Sequence, residues 1–119
     1  MPYIDGFVIP VPADKKEAYR KMAAQAAPIF KEYGALDVWE CWGDDLPDGK
    51  VTDFKGAVKA EPGENIVFSW IVWPSKAARD EGNRKVMADP RLQSYTDMPF
   101  SGERLIFGGF EILLDTGEK

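Results

Sequence analysis

The chain has 119 residues, of which 45% are hydrophobic, 13% aromatic and 29% charged, a composition typical of one folded domain spanning residues 1–119. Its net charge of −5 opposes binding to nucleic acid or to an anionic membrane, because phosphate groups repel an acidic protein. Cys41 is the only thiol, which excludes an intrachain disulfide, and no run of about 18 uncharged apolar residues occurs, so we expect a cytoplasmic protein.

The first third of the chain predicts a strand followed by a long helix. Residues 3–11 are rich in β-branched and aromatic side chains, which favours a strand. Asp14 and Glu17 have the spacing of a capping box, and apolar residues then recur at helical spacing over residues 19–33. The helix is expected to end near Gly34.

The rest of the chain predicts three more strands and a second helix. Residues 35–43 form the second strand, and residues 65–73 form a nearly unbroken apolar run typical of a buried central strand. Ser75 is expected to cap the second helix, and residues 104–114 form the last strand. The buried stripe of the second helix is predicted at Ala78, Gly82, Val86 and Met87.

The resulting order is β-α-β-β-α-β, which defines a ferredoxin-like α+β fold with a four-stranded antiparallel sheet. In this plan both helices cover one face of the sheet and leave the other face uncovered. The third and fourth strands are apolar at nearly every position, including Phe68, Trp70, Phe107 and Phe110. We therefore expect a homodimer in which a second copy covers that face.

Five segments together resemble the YbaA-like family of small bacterial proteins: YIDGFV at 3–8, ECWGDD at 40–45, FSWI at 68–71, VMADPR at 86–91 and RLIFGGFE at 104–111. That family is classed as a domain of unknown function in the dimeric α/β-barrel superfamily. The resemblance implies two ferredoxin-like protomers packed sheet to sheet. The superfamily includes cofactor-free monooxygenases, haem enzymes and proteins without known catalysis, so the resemblance supplies no mechanism.

The chain contains no histidine, which restricts its chemistry more than any other feature. Imidazole acid–base catalysis, serine–histidine and cysteine–histidine nucleophiles, histidine-ligated haem and histidine-based zinc sites are all excluded. The segment 43–50 has the wrong spacing for a phosphate loop, and as a calcium loop it would place Leu46 and Lys55 at ligand positions. No metal site and no cofactor is therefore predicted.

Three carboxylates lie in the middle of predicted strands and are the candidate catalytic residues: Asp5, Glu40 and Glu111. A buried carboxylate must be paired or protonated, so one of them with a raised pKa would suit a general base. The alternative is that each is paired with a cation, the candidates being Arg20, Arg79 and Arg104, or points to solvent. The unknown strand register leaves open whether the three carboxylates meet.

Trp39, Cys41 and Trp70 are the candidate ligand-binding residues, because aromatic walls with a few polar groups suit a planar organic ligand. Packing in the core or at a dimer interface is the alternative for the tryptophans. Cys41 follows Glu40, and an acidic neighbour disfavours a thiolate, so an inert thiol is expected.

These patterns favour a dimeric protein that binds a small organic molecule, in one version a cofactor-independent monooxygenase-like or related enzyme. The alternative is a non-catalytic dimeric structural or binding module, and the sequence does not decide whether the protein is an enzyme. An RNA-binding domain is a remote alternative, since such domains share the element order and stack bases on sheet aromatics. The basic-glycine motif of those domains is missing.

Overall fold

The computed structural model of the protein describes residues 1–93 and 98–117. Its elements are β1 (Tyr3–Pro12), a 3-10 turn (Ala13–Lys15), α1 (Lys16–Glu32), β2 (Asp37–Trp42), α2 (Phe54–Ala57), β3 (Glu64–Trp73), α3 (Lys76–Ala88), α4 (Pro90–Gln93) and β4 (Ile106–Glu111). Within the described residues, the strands form one antiparallel sheet in the order β2-β3-β1-β4. The predicted ferredoxin-like α+β fold is confirmed, with the short helices α2 and α4 added to it.

One face of the sheet packs against α1 and α3. Strand residues alternate between faces, and pairs such as Tyr3 with Trp73 and Ile9 with Val67 point toward the helices. These residues are buried in two core clusters, and Trp73 is fully buried. The core therefore lies between this face and the helices.

The opposite face, which we call the open face, is formed by Ile4, Val8, Trp39, Phe68, Trp70, Ile106 and Phe110. Several of its large side chains are exposed to solvent, Trp39 by 51% and Phe110 by 58%. The short helix α2 touches its edge, where the Phe54 ring packs edge-on against Phe68. The predicted uncovered apolar face is present in the described part of the chain.

The ends of the helices follow the sequence in most but not all respects. Ser75 caps α3 as predicted, its Oγ accepting a hydrogen bond from the Ala78 amide at 3.1 Å. The capping box predicted at Asp14 is wrong, because Asp14 lies inside the 3-10 turn and no side chain caps α1. α1 gives way to a turn at Gly34, whose φ of +113° is a conformation that glycine adopts readily.

One further expectation about orientation is wrong. Met87 is 76% exposed and lies outside the buried stripe, because at 3.6 residues per turn it is rotated away from Gly82 and Val86. Phe107 pairs with Phe7 and stacks on its ring, so of the apolar side chains of β4 it is Ile106 and Phe110 that alternate to the open face.

β4 is shorter than predicted. It begins at Ile106, after a turn in which Arg104 forms a two-pronged ion pair with Glu64, with both nitrogen–oxygen distances 2.7 Å. It ends at Glu111, and the following Leu113 and Leu114 are almost fully exposed. Within residues 1–93 and 98–117, no helix is both long and apolar enough to cross a membrane.

Candidate functional site

A cavity of about 420 Å³ lies between the helix-facing side of the sheet and the helices α1 and α3, and we call it the inner cavity. Its apolar walls include Phe7, Met22, Phe30, Ile71, Val86 and Phe107. Its polar lining includes Asp5, Tyr19, Glu40, Ser69, Arg79 and Asn83. Pockets for small molecules occupy about 300–1,000 Å³ and combine apolar walls with a few polar groups, so the inner cavity has the size and composition of a ligand site.

Asp5 lies at one end of the inner cavity and is 5% exposed. Its Oδ1 accepts a hydrogen bond from Arg79 Nη1 at 2.7 Å. Its Oδ2 accepts hydrogen bonds from Trp73 Nε1 at 3.0 Å and from Asn83 Nδ2 at 3.4 Å. Both carboxylate oxygens of Asp5 therefore accept hydrogen bonds, and those from Arg79 and Asn83 hold α3 against the sheet.

Gly109 makes room for the arginine of this group. The Arg79 guanidinium lies over the Tyr3 ring, 4.8 Å from its centroid. A Cβ on Gly109 would lie 2.8 Å from Tyr3 Cε2 and 3.0 Å from Arg79 Nη1. The lack of a side chain at Gly109 thus lets Tyr3 and Arg79 lie close to β4. The pairing of β1 with β4 continues across Gly109 without a bulge.

Glu40 is the second carboxylate on the inner cavity and has different partners. Its Oε1 accepts a hydrogen bond from Tyr19 Oη at 2.7 Å, and the buried Ser69, opposite it on β3, also hydrogen-bonds to it. Burial raises the pKa of Glu40 above its usual range, although the hydrogen bonds from Tyr19 and Ser69 act in the opposite direction. Burial and the neighbouring Glu40 raise the pKa of Tyr19, so the phenol stays protonated as a donor.

The structure brings together only two of the three candidate carboxylates. Asp5 and Glu40 both line the inner cavity, whereas Glu111 lies at the rim of a depression of about 830 Å³ on the open face. That depression is the larger of the two, but its lining is almost entirely apolar, so it offers little chemistry.

The three candidate ligand-binding residues lie on the other side of the sheet from the inner cavity. Trp39 and Trp70 stack on the open face with ring centroids 5.7 Å apart. Cys41 is a free thiol that lies opposite Phe68 and alternates to the same face, and it also borders a second cavity between α1 and β2. The aromatic residues that do line the inner cavity are Phe7, Tyr19, Phe30, Phe100 and Phe107.

The sequence analysis missed three polar residues of the inner cavity, namely Tyr19, Ser69 and Asn83. Ser69 is the only polar residue between Ile66 and Trp73 of β3, and a polar residue in a buried apolar run is a usable signal. Tyr19 was assigned only to the apolar stripe of α1, because the spacing of residues along a helix does not show what a side-chain hydroxyl will contact.

A second cavity of about 360 Å³, which we call the outer groove, lies between α1 and the edge strand β2. Small side chains of α1, including Ala24 and Ala27, leave the space open. Lys16 stands at one end, with Nζ 5.5 Å from the Trp42 ring centroid. The outer groove shares Tyr19, Ala23 and Glu40 with the inner cavity.

In the described ranges 1–93 and 98–117, no cluster of three or more cysteine or acidic side chains has the arrangement of a metal site.

The fold and the cavity between its two layers define a ferredoxin-like α+β protein with a pocket between sheet and helices. A mutant of MhuD with two manganese protoporphyrin IX molecules bound per active site has this fold, with a TM-score of 0.63 and 19% identity over 98% of this chain and 99% of that chain. Rv0793 from Mycobacterium tuberculosis superposes with a TM-score of 0.53 and 14% identity over 98% of this chain and 100% of that one. At these identities the likeness shows the fold.

The chain belongs to the family described as "Protein of unknown function (DUF1428)", whose model matches residues 2–102. It is 62% identical to "Uncharacterized protein YbaA" of Escherichia coli strain K12 over 116 residues, which is 97% of this chain and 99% of YbaA. The protein of the same name from Shigella flexneri matches to the same extent. The predicted membership of a YbaA-like bacterial family is confirmed.

Proposed function

We propose that the protein is a homodimer in which each copy binds a small organic molecule in its inner cavity, with Glu40 as the acceptor for a hydroxyl group of the ligand. The observation that carries this proposal is the group of Tyr19, Glu40 and Ser69 in the wall of an apolar cavity of ligand size. Buried polar groups that converge on a pocket fix the orientation of a ligand whose body is held by apolar contacts.

The environment of Glu40 also supports a catalytic version of this proposal. Burial raises the pKa of Glu40, which makes its carboxylate a stronger proton acceptor than an ordinary glutamate, and Tyr19 holds one of its oxygens in place. A cofactor-independent monooxygenase-like or related enzyme would use Glu40 to remove a proton from the bound molecule. Asp5 and Glu111 have no part in this proposal, since Asp5 is fully paired and Glu111 lies outside the inner cavity.

Haem does not fit the side chains of the inner cavity, although a protein of the same fold binds a metalloporphyrin. The chain has no histidine, and Cys41 alternates to the other face of the sheet. Tyr19 would have to ligate iron as a phenolate, but its pKa is raised by burial and its proton is donated to Glu40. The proposed ligand is therefore a metal-free organic molecule.

The open face supports the homodimer. Trp39, Phe68, Trp70, Ile106 and Phe110 form a continuous apolar surface there, and a second copy of the same surface would remove these side chains from water. Pairing through this face would leave the inner cavity accessible, because the cavity lies on the other side of the sheet. RNA would need the same rings of Phe68 and Trp70, so the dimer and the RNA-binding alternative compete for one surface.

We also propose a cytoplasmic location, which rests on the chemistry of the single cysteine. Cys41 is a free thiol, and proteins that reside in oxidising compartments commonly use cysteine in disulfides. Fractionation of the native host followed by immunoblotting tests this, and recovery with periplasmic markers would contradict it.

A thermal-shift screen tests the binding proposal. Phenols, quinols and small organic acids are added to the wild-type protein, and a ligand that binds only the folded state raises the melting temperature with concentration. At 100 times its Kd, such a ligand adds about 2.7 kcal/mol to the free energy of unfolding. We expect phenolic hydroxyl compounds to shift the wild type and to shift Glu40→Gln less.

The matched control is Glu111→Gln, which makes the same chemical change outside the inner cavity. It should retain the full ligand-induced shift. If no compound shifts the wild type, or if both variants lose the shift equally, the small-molecule proposal fails and the non-catalytic module is favoured.

A further inference from the structure

The inner cavity and the outer groove share one wall, and Glu40 stands in it. Tyr19, Ala23 and Glu40 line both spaces. Glu40 neighbours the buried Ser69 on β3, and the residue is itself exposed to solvent. One carboxylate is thus reachable from a ligand-sized cavity and from a groove that opens to water.

Few of the groups around Glu40 can exchange a proton with it. The charged and titratable residues that face its two sides are Lys16, Tyr19 and Arg20 of α1, Cys41 of its own strand, and Asp5 and Arg79 across the inner cavity. Lys16 lies over the Trp42 ring, and Arg20 donates to Glu17 at 3.0 Å. Arg79 pairs with Asp5, so the hydrogen bonds to Glu40 come from the neutral donors Tyr19 and Ser69.

We infer that Glu40 transfers a proton between a ligand in the inner cavity and water in the outer groove. This inference rests on the proposed function and adds the route that the proton takes. In the first step, an O–H bond of the ligand breaks, the proton binds a carboxylate oxygen of Glu40, and the electron pair stays on the ligand oxygen. In the second step, the O–H bond on Glu40 breaks and the proton passes to water in the outer groove, which restores the carboxylate.

Tyr19 is a positioning residue in this scheme. Its hydroxyl holds Glu40 Oε1 at the shared wall through the 2.7 Å hydrogen bond. Because its own pKa is raised, it stays a donor while Glu40 gains and loses a proton.

The route through the outer groove is tested without any ligand. Ala24 is exposed and lines the outer groove but not the inner cavity, so Ala24→Leu narrows the groove alone. If water in the groove hydrates Glu40, narrowing the groove disfavours the charged form, and the pKa of Glu40 should rise by about 0.5 units or more. The measurement is an NMR titration of the ¹³C-labelled glutamate carboxyl groups.

The matched control is Ala18→Leu, an exposed position on the same helix that lines neither space. It should leave the titration of Glu40 unchanged, and circular dichroism confirms that both variants fold. An unchanged Glu40 titration in folded Ala24→Leu would overturn the solvent route.

Acceptance of the ligand's proton by Glu40 is tested by measuring the affinity for neutral 4-nitrophenol at several pH values. We expect the wild type to bind the probe more tightly when Glu40 is charged than when it is protonated, and Glu40→Gln to lack this pH dependence, because only the carboxylate can take up the proton. The same pH dependence in both proteins would overturn the transfer step. If the probe does not bind the wild type, the proposed hydroxyl-binding function is contradicted, while the titration of Ala24→Leu still decides the solvent route.

Discussion

Asp5 and Glu40 are both acidic residues on the helix-facing side of the sheet, yet their neighbours give them different roles. Asp5 is surrounded by donors from Trp73, Arg79 and Asn83, which satisfy both of its oxygens. Glu40 receives hydrogen bonds from two hydroxyl groups and has no guanidinium or ammonium partner among the described ion pairs. The strand position of both residues was visible in the sequence, but the partners come from β3, α1 and α3 and depend on register.

At the residue scale, the raised pKa of Glu40 predicts how stability responds to pH. A folded-state pKa above the unfolded value means that the folded protein binds the proton more tightly, so stability falls as pH rises through and above the ordinary glutamate pKa of about 4.3. Glu40→Gln keeps an acceptor for Tyr19 without the charge. We expect Glu40→Gln to match the wild type near pH 4 and to be more stable than the wild type at neutral pH.

Urea unfolding of the two proteins at several pH values measures this difference. Other carboxylates titrate in the same range, so the informative quantity is the difference between the curves and not either curve alone. Glu111→Gln is the control, and its curve of unfolding free energy against pH should run parallel to that of the wild type. A constant difference between Glu40→Gln and the wild type from acid to neutral pH would show that the pKa of Glu40 is not raised.

At the element scale, the sequence predicted features that depend on residues close together in the chain. The apolar run of β3 and the Ser75 cap of α3 were readable because each depends on neighbouring residues only. The helix α2 was missed, since it is a single turn capped by Asp53 in a segment without periodicity. The face on which Phe107 lies could not be predicted, because a strand that is apolar on both sides does not reveal its register.

Gly82 provides an element-scale prediction about how α3 packs on the sheet. A Cβ at this position would overlap the Trp73 ring, lying 2.6 Å from Cη2, and would lie 2.9 Å from the Tyr33 carbonyl oxygen. In an exposed helix, replacing glycine with alanine gains about 1 kcal/mol. In this interface the overlap costs about 1–3 kcal/mol or more, so we expect Gly82→Ala to lower the free energy of unfolding.

Gly102→Ala is the control, because a Cβ there would meet no atom of the described residues within 4 Å. It should change the free energy of unfolding by no more than about 0.5 kcal/mol. A Gly82→Ala protein as stable as the wild type would mean that α3 can move away from Trp73 at little cost.

At the scale of the whole molecule, the sequence predicted the uncovered apolar face of the sheet better than it predicted the cavity. The uncovered apolar face follows from the element order and from the apolar residues of β3 and β4, which are both local observations. The inner cavity depends on the distance between α1, α3 and the sheet, and that distance is set by contacts distant in sequence. Tyr19 and Glu40, 21 positions apart, meet only through this packing.

Phe110 and Phe107 allow the dimer to be tested with two changes in one strand. Both side chains are exposed, by 58% and 74%, but Phe110 lies on the open face and Phe107 on the helix-facing side. Burying a charge inside an apolar interface is costly, so Phe110→Asp should convert the dimer to a monomer at micromolar concentration. Phe107→Asp should weaken the dimer less, because the Phe107 ring stacks on Phe7 toward the helices and only borders the depression on the open face. Size-exclusion chromatography with light scattering measures both masses, and a monomeric wild type, or equal dissociation of both variants, would contradict pairing through the open face.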